Sequence, residues 1–260
     1  RDETWAEAEK ARIGEERFRR EHECEFLIFD ETLISSLVLA DMEGIPPLET
    51  TGQVRWFKRP TPGHTYMVSL DPSMGTGGDF AAIQVFELPT FEQIGEWQHN
   101  QTPMNQQVRI LQGINKHIHD TIMEKDSTAT PQIFYSMENN SIGEAALMRV
   151  MDIGEENIQG MFLSEPIRKG HRRKFRRGFN TTAKHKIDAC TKFKELVEND
   201  KMKIHSQLLI SELKDFVASG LSYKAKPGQH DDLVSSCLLM TRMMKVLADF
   251  DPKIFEKWTD

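Results

Sequence analysis

MVSLDPSMGTGGDFAAIQVFE spans Met67 to Glu87. An apolar stretch closes on Asp71, breaks into Gly75, Gly77 and Gly78, and resumes as a second apolar stretch at Phe80. TYMVSLD, ending at Asp71, reads as a strand, and FAAIQVFEL as its hairpin partner. A carboxylate at the end of a buried strand has two readings. It forms a turn, or it stands where functional groups gather, at the C-terminal end of a strand in an open α/β sheet. Phosphate binding by the Gly-rich loop is a further reading that its context weakens. No Gly-Lys-Ser/Thr follows, and no helix follows the glycines, so neither a Walker A loop nor a dinucleotide fingerprint is complete.

Working outward, FEQIGEWQHN reads as a third strand. Val108, Leu111, Ile114, Ile118 and Ile122 recur at helical spacing. PQIFYSMENN is a short strand carrying Glu138 at its end, and GEAALMRVMDI a helix. Three strands, a helix, a strand and a helix make an α/β layout around a mixed sheet. Downstream, the basic segment around RKGHRRKFRR reads as a loop or hairpin, and a helix starts near Thr181. KMKIHS reads as a short strand, LLISELKDFVAS as an amphipathic helix, and GQHDDLVSSCLLMTRMMKVLADF as the site of a long final helix. Upstream, Thr4 and Glu7 form a capping-box pattern at the head of a charged helix. The stretch after it mixes short apolar pieces with Pro and Gly and reads as a connector wrapped onto the core.

With 260 residues the chain can bury a substantial core. No apolar run approaches the roughly 20 residues needed to cross a bilayer, so no membrane is expected as a partner. The chain opens on Arg1 with no signal-peptide pattern and no initiator Met, which reads as a piece of a longer protein. Cys24, Cys190 and Cys237 are scattered and odd in number, so they suggest buried thiols in a reducing compartment rather than a zinc site. A formal net charge of -7 argues against a uniformly basic nucleic-acid coat but leaves room for a local basic groove.

Three acidic sites share one kind of address. Asp71 and Glu138 end strands, and Asp231 and Asp232 open the last helix. Several carboxylates meeting there repel one another unless a cation neutralises them. Oxygen donors without sulfur favour Mg²⁺, with Mn²⁺ able to substitute. Two such ions about 4 Å apart suit phosphodiester hydrolysis. Each acid alone has a plainer reading, as a turn former or a helix cap; the conjunction is what points to a metal site. On a helical wheel Asp232 shares a face with Leu239, Met243 and Phe250, so it is the better candidate to face the sheet. Asp231 falls beside Arg242 and Asp249, and either caps the helix or ligates a second ion. Asp79 is a further candidate ligand at the far end of the Gly-rich loop, and His230 a supporting group or a plain surface residue. Lys169, Arg172, Arg173, Lys174, Arg176 and Arg177 form a local anion track suited to successive phosphates, against the plainer reading of a solvated loop.

SLDPSMGTGGDF, YSMENNSIGEAAL, RRGFNTTAKHKIDA and GQHDDLVSSCLLM, in this order, resemble the C-terminal nuclease domain of the large terminase subunit of tailed double-stranded DNA bacteriophages. IGEERFRREHECEF resembles the segment that closes that family's ATPase portion. The resemblance implies residues 1–60 as the end of the ATPase portion with its connector, and residues 61–260 as the nuclease domain. It implies an RNase H-like mixed β-sheet flanked by helices, and a two-metal-ion endonuclease that cuts concatemeric viral DNA during packaging with little sequence specificity. Asp71, Glu138 and the Asp231/Asp232 pair fall on the family's acidic positions, and Asp79 on a loop acid near the metals. Double-stranded DNA, the ATPase portion of the same chain, the portal and the small terminase subunit are the implied partners. The implied location is the host cytoplasm, at the assembling capsid. Another RNase H-like enzyme, such as a junction resolvase or transposase, remains an alternative reading. So does a non-catalytic DNA-binding or assembly module.

The basic run generates one prediction. Replacing Arg172, Arg173, Arg176 and Arg177 with alanine is expected to weaken DNA binding equally for all sequences, because phosphate contacts position without reading bases. Each lost contact should flatten the log–log dependence of affinity on salt by about 0.9 for duplex DNA. A filter-binding titration at several salt concentrations reads this directly. An unchanged slope removes the run from the DNA track.

Overall fold

In the computed structural model, the described residues are 3–15, 18, 31–166 and 177–250. The helix at the N-terminus, α1, spans Glu3–Ile13. Thr4 therefore lies inside the helix, and the expected capping box does not form there. α2 (Ser36–Asp41) is capped by Ser35, whose hydroxyl accepts from the Val38 N–H at 3.4 Å. It lies within the stretch read as connector. That stretch also contributes two strands, β1 (Glu49–Thr51) and β2 (Val54–Trp56).

The main sheet continues with β3 (Thr65–Asp71), β4 (Ala81–Leu88) and β5 (Glu92–His99). α3 (Met104–Lys125) leads to β6 (Gln132–Met137), followed by α4 (Ser141–Ile153) and β7 (Met161–Phe162). The seven strands lie in the order β1-β2-β5-β4-β3-β6-β7. β3–β6 and β6–β7 are parallel and the other pairs antiparallel, so the sheet is mixed as expected. β3 and β4 form the hairpin read from the sequence.

Helices cover both faces, and β4 is buried along its whole length as a result. On one face α3 packs Val108, Leu111, Ile114, Ile118 and Ile122 against Tyr66, Val68 and Leu70. The apolar residues of α4 join the same cluster. The other face is covered by α5 (Ala183–Glu198), α6 (Gln207–Asp215) and α7 (Asp232–Phe250). Among the described residues, no helix is long and apolar enough to cross a membrane.

Two expectations downstream need correction. Lys201–Ser206 is not a strand; Lys203 makes a single bridge to Glu92. The reason is that β2 already occupies that edge of β5 at Gly95 and Glu96, which leaves only the start of β5 to pair. The helix expected over Leu208–Ser219 stops at Asp215. Phe216–Ser219 becomes β8, paired with β9 (Ser222–Ala225) through a turn in which Gly220 has φ +61. Phe216 is fully buried and stacks on Tyr223 at 6.1 Å between ring centroids, so tertiary burial overrides the helical pattern.

At the end of β3 and β4 remote from Asp71, a charged network seals the sheet. The wholly buried Glu87 is paired by Lys58 and by His64 Nδ1 at 3.1 Å. Glu92 accepts from Lys58 Nζ at 2.7 Å and contacts His205 Nε2 at 2.9 Å. Burial disfavours the Glu92 carboxylate, but these hydrogen bonds and charges outweigh it and bring its pKa down to about 2. A depressed carboxyl pKa contributes stability above the unfolded value, roughly 4.3, and loses it as pH falls through the folded value. Glu92→Gln should therefore cost roughly 1.5–3 kcal/mol at pH 7, the range for hydrogen bonds to charged groups. The difference from the parent should close between about pH 4.3 and pH 2. Urea denaturation across that range measures it.

Candidate active site

The acids meet because of strand parity and register. Side chains alternate between faces. Tyr66, Val68 and Leu70 belong to the cluster under α3, whereas Met67 belongs to the cluster under α7. Ser69 continues the second set, and Asp71 follows on the same face. Parallel β6 pairs in register, Ser69 with Ser136 and Leu70 with Met137. Glu138 is thus the next residue across from Asp71, and its N–H donates to the Leu70 carbonyl at 3.1 Å.

α7 is held over β3 by a reciprocal pair of serines. Ser69 Oγ donates to the Ser236 carbonyl at 2.9 Å, and Ser236 Oγ donates to the Ser69 carbonyl at 3.1 Å. Asp232 stands one helical turn before Ser236, over the strand end that carries Asp71. Its carboxylate accepts from the Phe80 N–H, at the close of the Gly-rich loop.

Four carboxyl groups lie near enough for their charges to interact. A hydrogen bond joins Asp71 and Glu138, and the charges of Asp232 and Asp231 act on Asp71 as well. Burial first, then these neighbours, push the Asp71 carboxyl well above its ordinary range. Burial and the charge of Asp231 raise Asp232 to about 6, partly offset by His230. Asp71, Glu138 and Asp232 thus lie on the same face of the sheet, near enough for their charges to interact.

Asp231 does not cap α7 with its side chain. Its Oδ2 instead accepts from the Ala225 N–H of β9 at 3.3 Å, and Lys186 Nζ lies 3.9 Å away. Asp79 is exposed, and its charge reaches Asp232 across the loop. His230 Nδ1 lies 3.6 Å from Asp232, and its ring packs edge-on against Phe80 at 4.8 Å. Of the basic run, Lys169, Arg172, Arg173, Lys174 and Arg176 lie outside the described residues. Arg177 is described and pairs with Glu155.

Glu212 on α6 was not singled out from the sequence. It is nine-tenths buried, and Oε2 accepts from the Val234 N–H at 3.1 Å while Oε1 accepts from Gln98 at 2.8 Å. The Leu233 N–H also reaches this carboxyl, so Glu212 satisfies the open first turn of the helix that carries Asp232. Burial pushes its pKa up to about 8. A charged residue on the apolar face of α6, between Leu209 and Leu213, was the signal available.

A divalent cation is the group that this donor set implies. Among the described residues, no three His, Cys, Asp or Glu side chains surround a point as they stand. The chemistry of the donors nevertheless fits a hard cation. All are carboxylate oxygens, and like charges at about 4 Å repel by about 4 kcal/mol at an effective dielectric constant near 20. A proton between Asp71 and Glu138 relieves that repulsion in part, and a cation relieves it more fully.

Gly143 is required for this geometry. A Cβ there would stand 1.8 Å from the Glu138 carbonyl oxygen, so only glycine lets the first turn of α4 abut the strand end. Asn140 completes the junction, with its Oδ1 accepting from Ile142 and Gly143 and its Nδ2 donating to Glu138 Oε2 at 2.9 Å. Gly143→Ala should lower the thermal midpoint by several degrees and weaken Mn²⁺ binding in calorimetry. Gly113→Ala, where a Cβ meets nothing within 4 Å, should be neutral or slightly stabilising.

Comparison with known proteins agrees with this architecture. A family model described as the terminase RNase H-like domain matches residues 68–243. The large terminase nuclease from thermophilic phage G20c superposes with a TM-score of 0.57 at 18% identity, covering 80% of this chain and 96% of that one. Its structure with bound magnesium gives a TM-score of 0.58 at 16% identity, covering 81% and 96%. A human cytomegalovirus terminase nuclease domain, soaked with Mn and inhibitor-bound, gives 0.51 at 12% identity, covering 84% and 97%. At these identities the likeness is one of fold.

Proposed function

The chain belongs to the terminase RNase H-like domain family, and from that premise we propose that it is a metal-dependent endonuclease acting on double-stranded viral DNA during genome packaging. The observation that carries the proposal is the convergence of Asp71 and Glu138 with Asp232 and Asp231 on one face of the sheet. The solved relatives are terminase nucleases, one of them with bound magnesium, which supports the same reading.

Asp71, at the centre of the group, and Glu138 beside it would hold the cation, with Asp232 completing the set and Asp231 serving a second ion. Mg²⁺, or Mn²⁺ in its place, would lower the pKa of a water and neutralise charge on the departing 3′ oxygen, most fully as a pair of ions about 4 Å apart. The chain's own residues do the positioning. The Ser69–Ser236 pair fixes α7 against β3, Glu212 holds the first turn of α7, and Asn140 orients Glu138. The basic run supplies backbone contacts that carry no sequence preference. Under this reading the segment before residue 61 joins the nuclease to an ATPase portion. The portal and small terminase subunit would then be its partners at the assembling capsid in the host cytoplasm.

Supercoiled plasmid incubated with Mg²⁺ or Mn²⁺ should be nicked and linearised, and EDTA should stop the reaction. Asp71→Asn, Glu138→Gln and Asp232→Asn should each reduce cleavage by at least about a hundredfold while remaining folded. Asp71→Asn should also raise the thermal midpoint in EDTA, since one of the repelling charges is gone. Cleavage by Asp71→Asn at the parent rate would overturn the assignment. Full cleavage by Asp232→Asn, with loss in Asp231→Asn, would exchange the roles within the pair.

A further inference from the structure

Beside the acidic group lies a cavity of about 220 Å³, lined by Glu138, Thr181, Lys186, Ala189, Ser235, Leu238, Leu239 and Arg242. α7 contributes Ser235, Leu238 and Arg242, which continue the helical stripe begun by Asp231. That stripe runs roughly 16 Å along the helix axis. α5 faces it with Lys186 and Ala189, one turn apart. The cavity therefore begins at Glu138 and extends away from the carboxylates between two helices.

Its two cations are not equivalent. Arg242 is committed. Its guanidinium pairs with Glu165 and donates to Thr181 Oγ at 2.9 Å and the Asn180 carbonyl at 3.1 Å, over the Phe179 ring at 5.2 Å. It builds the wall. Lys186 makes no side-chain hydrogen bond among the described residues. Its ammonium rests over the Phe216 ring at 5.4 Å and is 3.9 Å from Asp231, beyond hydrogen-bond distance. An ammonium carries three donors, and these remain available at the mouth of the cavity. The floor of Ala189, Leu238 and Leu239 is apolar.

We infer that this cavity is the subsite for the sugar–phosphate unit adjoining the scissile bond, with Lys186 binding its phosphate and the Leu238–Leu239 floor receiving the sugar. The inference rests on the nuclease reading and names how that site holds its substrate. The chemistry matches on each side: ammonium and hydroxyl donors for phosphate oxygens, an apolar floor for a deoxyribose ring, and Glu138 marking the end nearest the reacting bond. A polyanion approaching a carboxylate cluster also needs a cation close by, and Lys186 is placed to supply it. Lys186 binds substrate and takes no part in proton transfer.

The test uses the whole chain with plasmid cleavage in Mn²⁺ and equilibrium binding of duplex DNA to the Asp71→Asn protein. Lys186→Gln should raise the DNA concentration for half-maximal cleavage by about tenfold and flatten the salt dependence of binding by about 0.9. Lys186→Arg should restore most of both. Ser235→Leu, which crowds the cavity without changing charge, should raise the half-maximal concentration as well. Mn²⁺ affinity by calorimetry and the thermal midpoint of Lys186→Gln should stay at parent values. If Lys186→Gln keeps the parent half-maximal concentration and salt slope, the cavity is not the subsite. If it alters Mn²⁺ affinity alone, Lys186 serves only as the ion-pair partner of Asp231, and the inference fails. Should the parent chain cut no DNA with any divalent cation, the nuclease reading falls. The binding arm would then still decide whether Lys186 contacts phosphate.

Discussion

The parallel pairing of β3 with β6 is the constraint on which the rest depends. It sets Ser69 opposite Ser136 and so brings Glu138 next to Asp71. A slip of one residue would turn one of the two carboxyls to the opposite face, under α3 and α4. The pairing is secured on both faces at once. Tyr66, Val68 and Leu70 lock β3 to α3, and Met67 with Ser69 lock it to α7. Because the strand is buried on both faces, the register cannot be adjusted to relieve the acids at its end. The charge has to be met where it falls.

That charge is a local cost the fold holds in place. Asp71 is driven up by burial and three neighbouring carboxyls, and Asp232 to about 6. Left to local preferences, such groups would turn to solvent. They are prevented by contacts elsewhere in the fold: the serine pair, the glycine at position 143, and Glu212 at the first turn of α7. The repulsion therefore sits where, under the proposed reading, a cation would relieve it. This is the usual relation between a site and its scaffold, in which local rules are broken at the functional group and offset elsewhere.

Much of this was legible in the sequence, for a definable reason. Asp71, Glu138 and Asp232 sit at element ends, and ends are marked by local signals: glycines after β3 and the acidic pair that opens α7. The strands β3 to β6 and the helices α3 and α4 follow from periodicity in single windows. What was not legible depends on distant partners. β1 and β2 form an edge whose neighbour is β5, about forty residues on, so Arg55 meets Glu96 only in the folded chain. β8 was read as the end of a helix because Phe216 continues an amphipathic pattern, and only its burial against Tyr223 decides otherwise. Glu212 carries no motif of its own, and Lys186, though within RRGFNTTAKHKIDA, has no signal there that sets it apart from Lys184; their meaning comes from the α7 N-terminus and from Asp231.

The position of Lys186 connects these two levels. It lies on the first turn of α5, after the Thr182 cap that accepts from the His185 N–H at 3.2 Å. Cap and helix start are local features, readable from Thr181 onward. What makes the lysine functional in this reading is that α5 packs against α7, which turns its first turn toward Asp231 and the cavity. Arg242 shows the contrast. It lines the same cavity, but Glu165, Asn180 and Thr181 already occupy its donors, so its charge is spent on structure. Two basic residues of one cavity thus divide by their remaining hydrogen-bonding capacity. The one without hydrogen-bond partners among the described residues is the one whose replacement should register in substrate affinity rather than in folding.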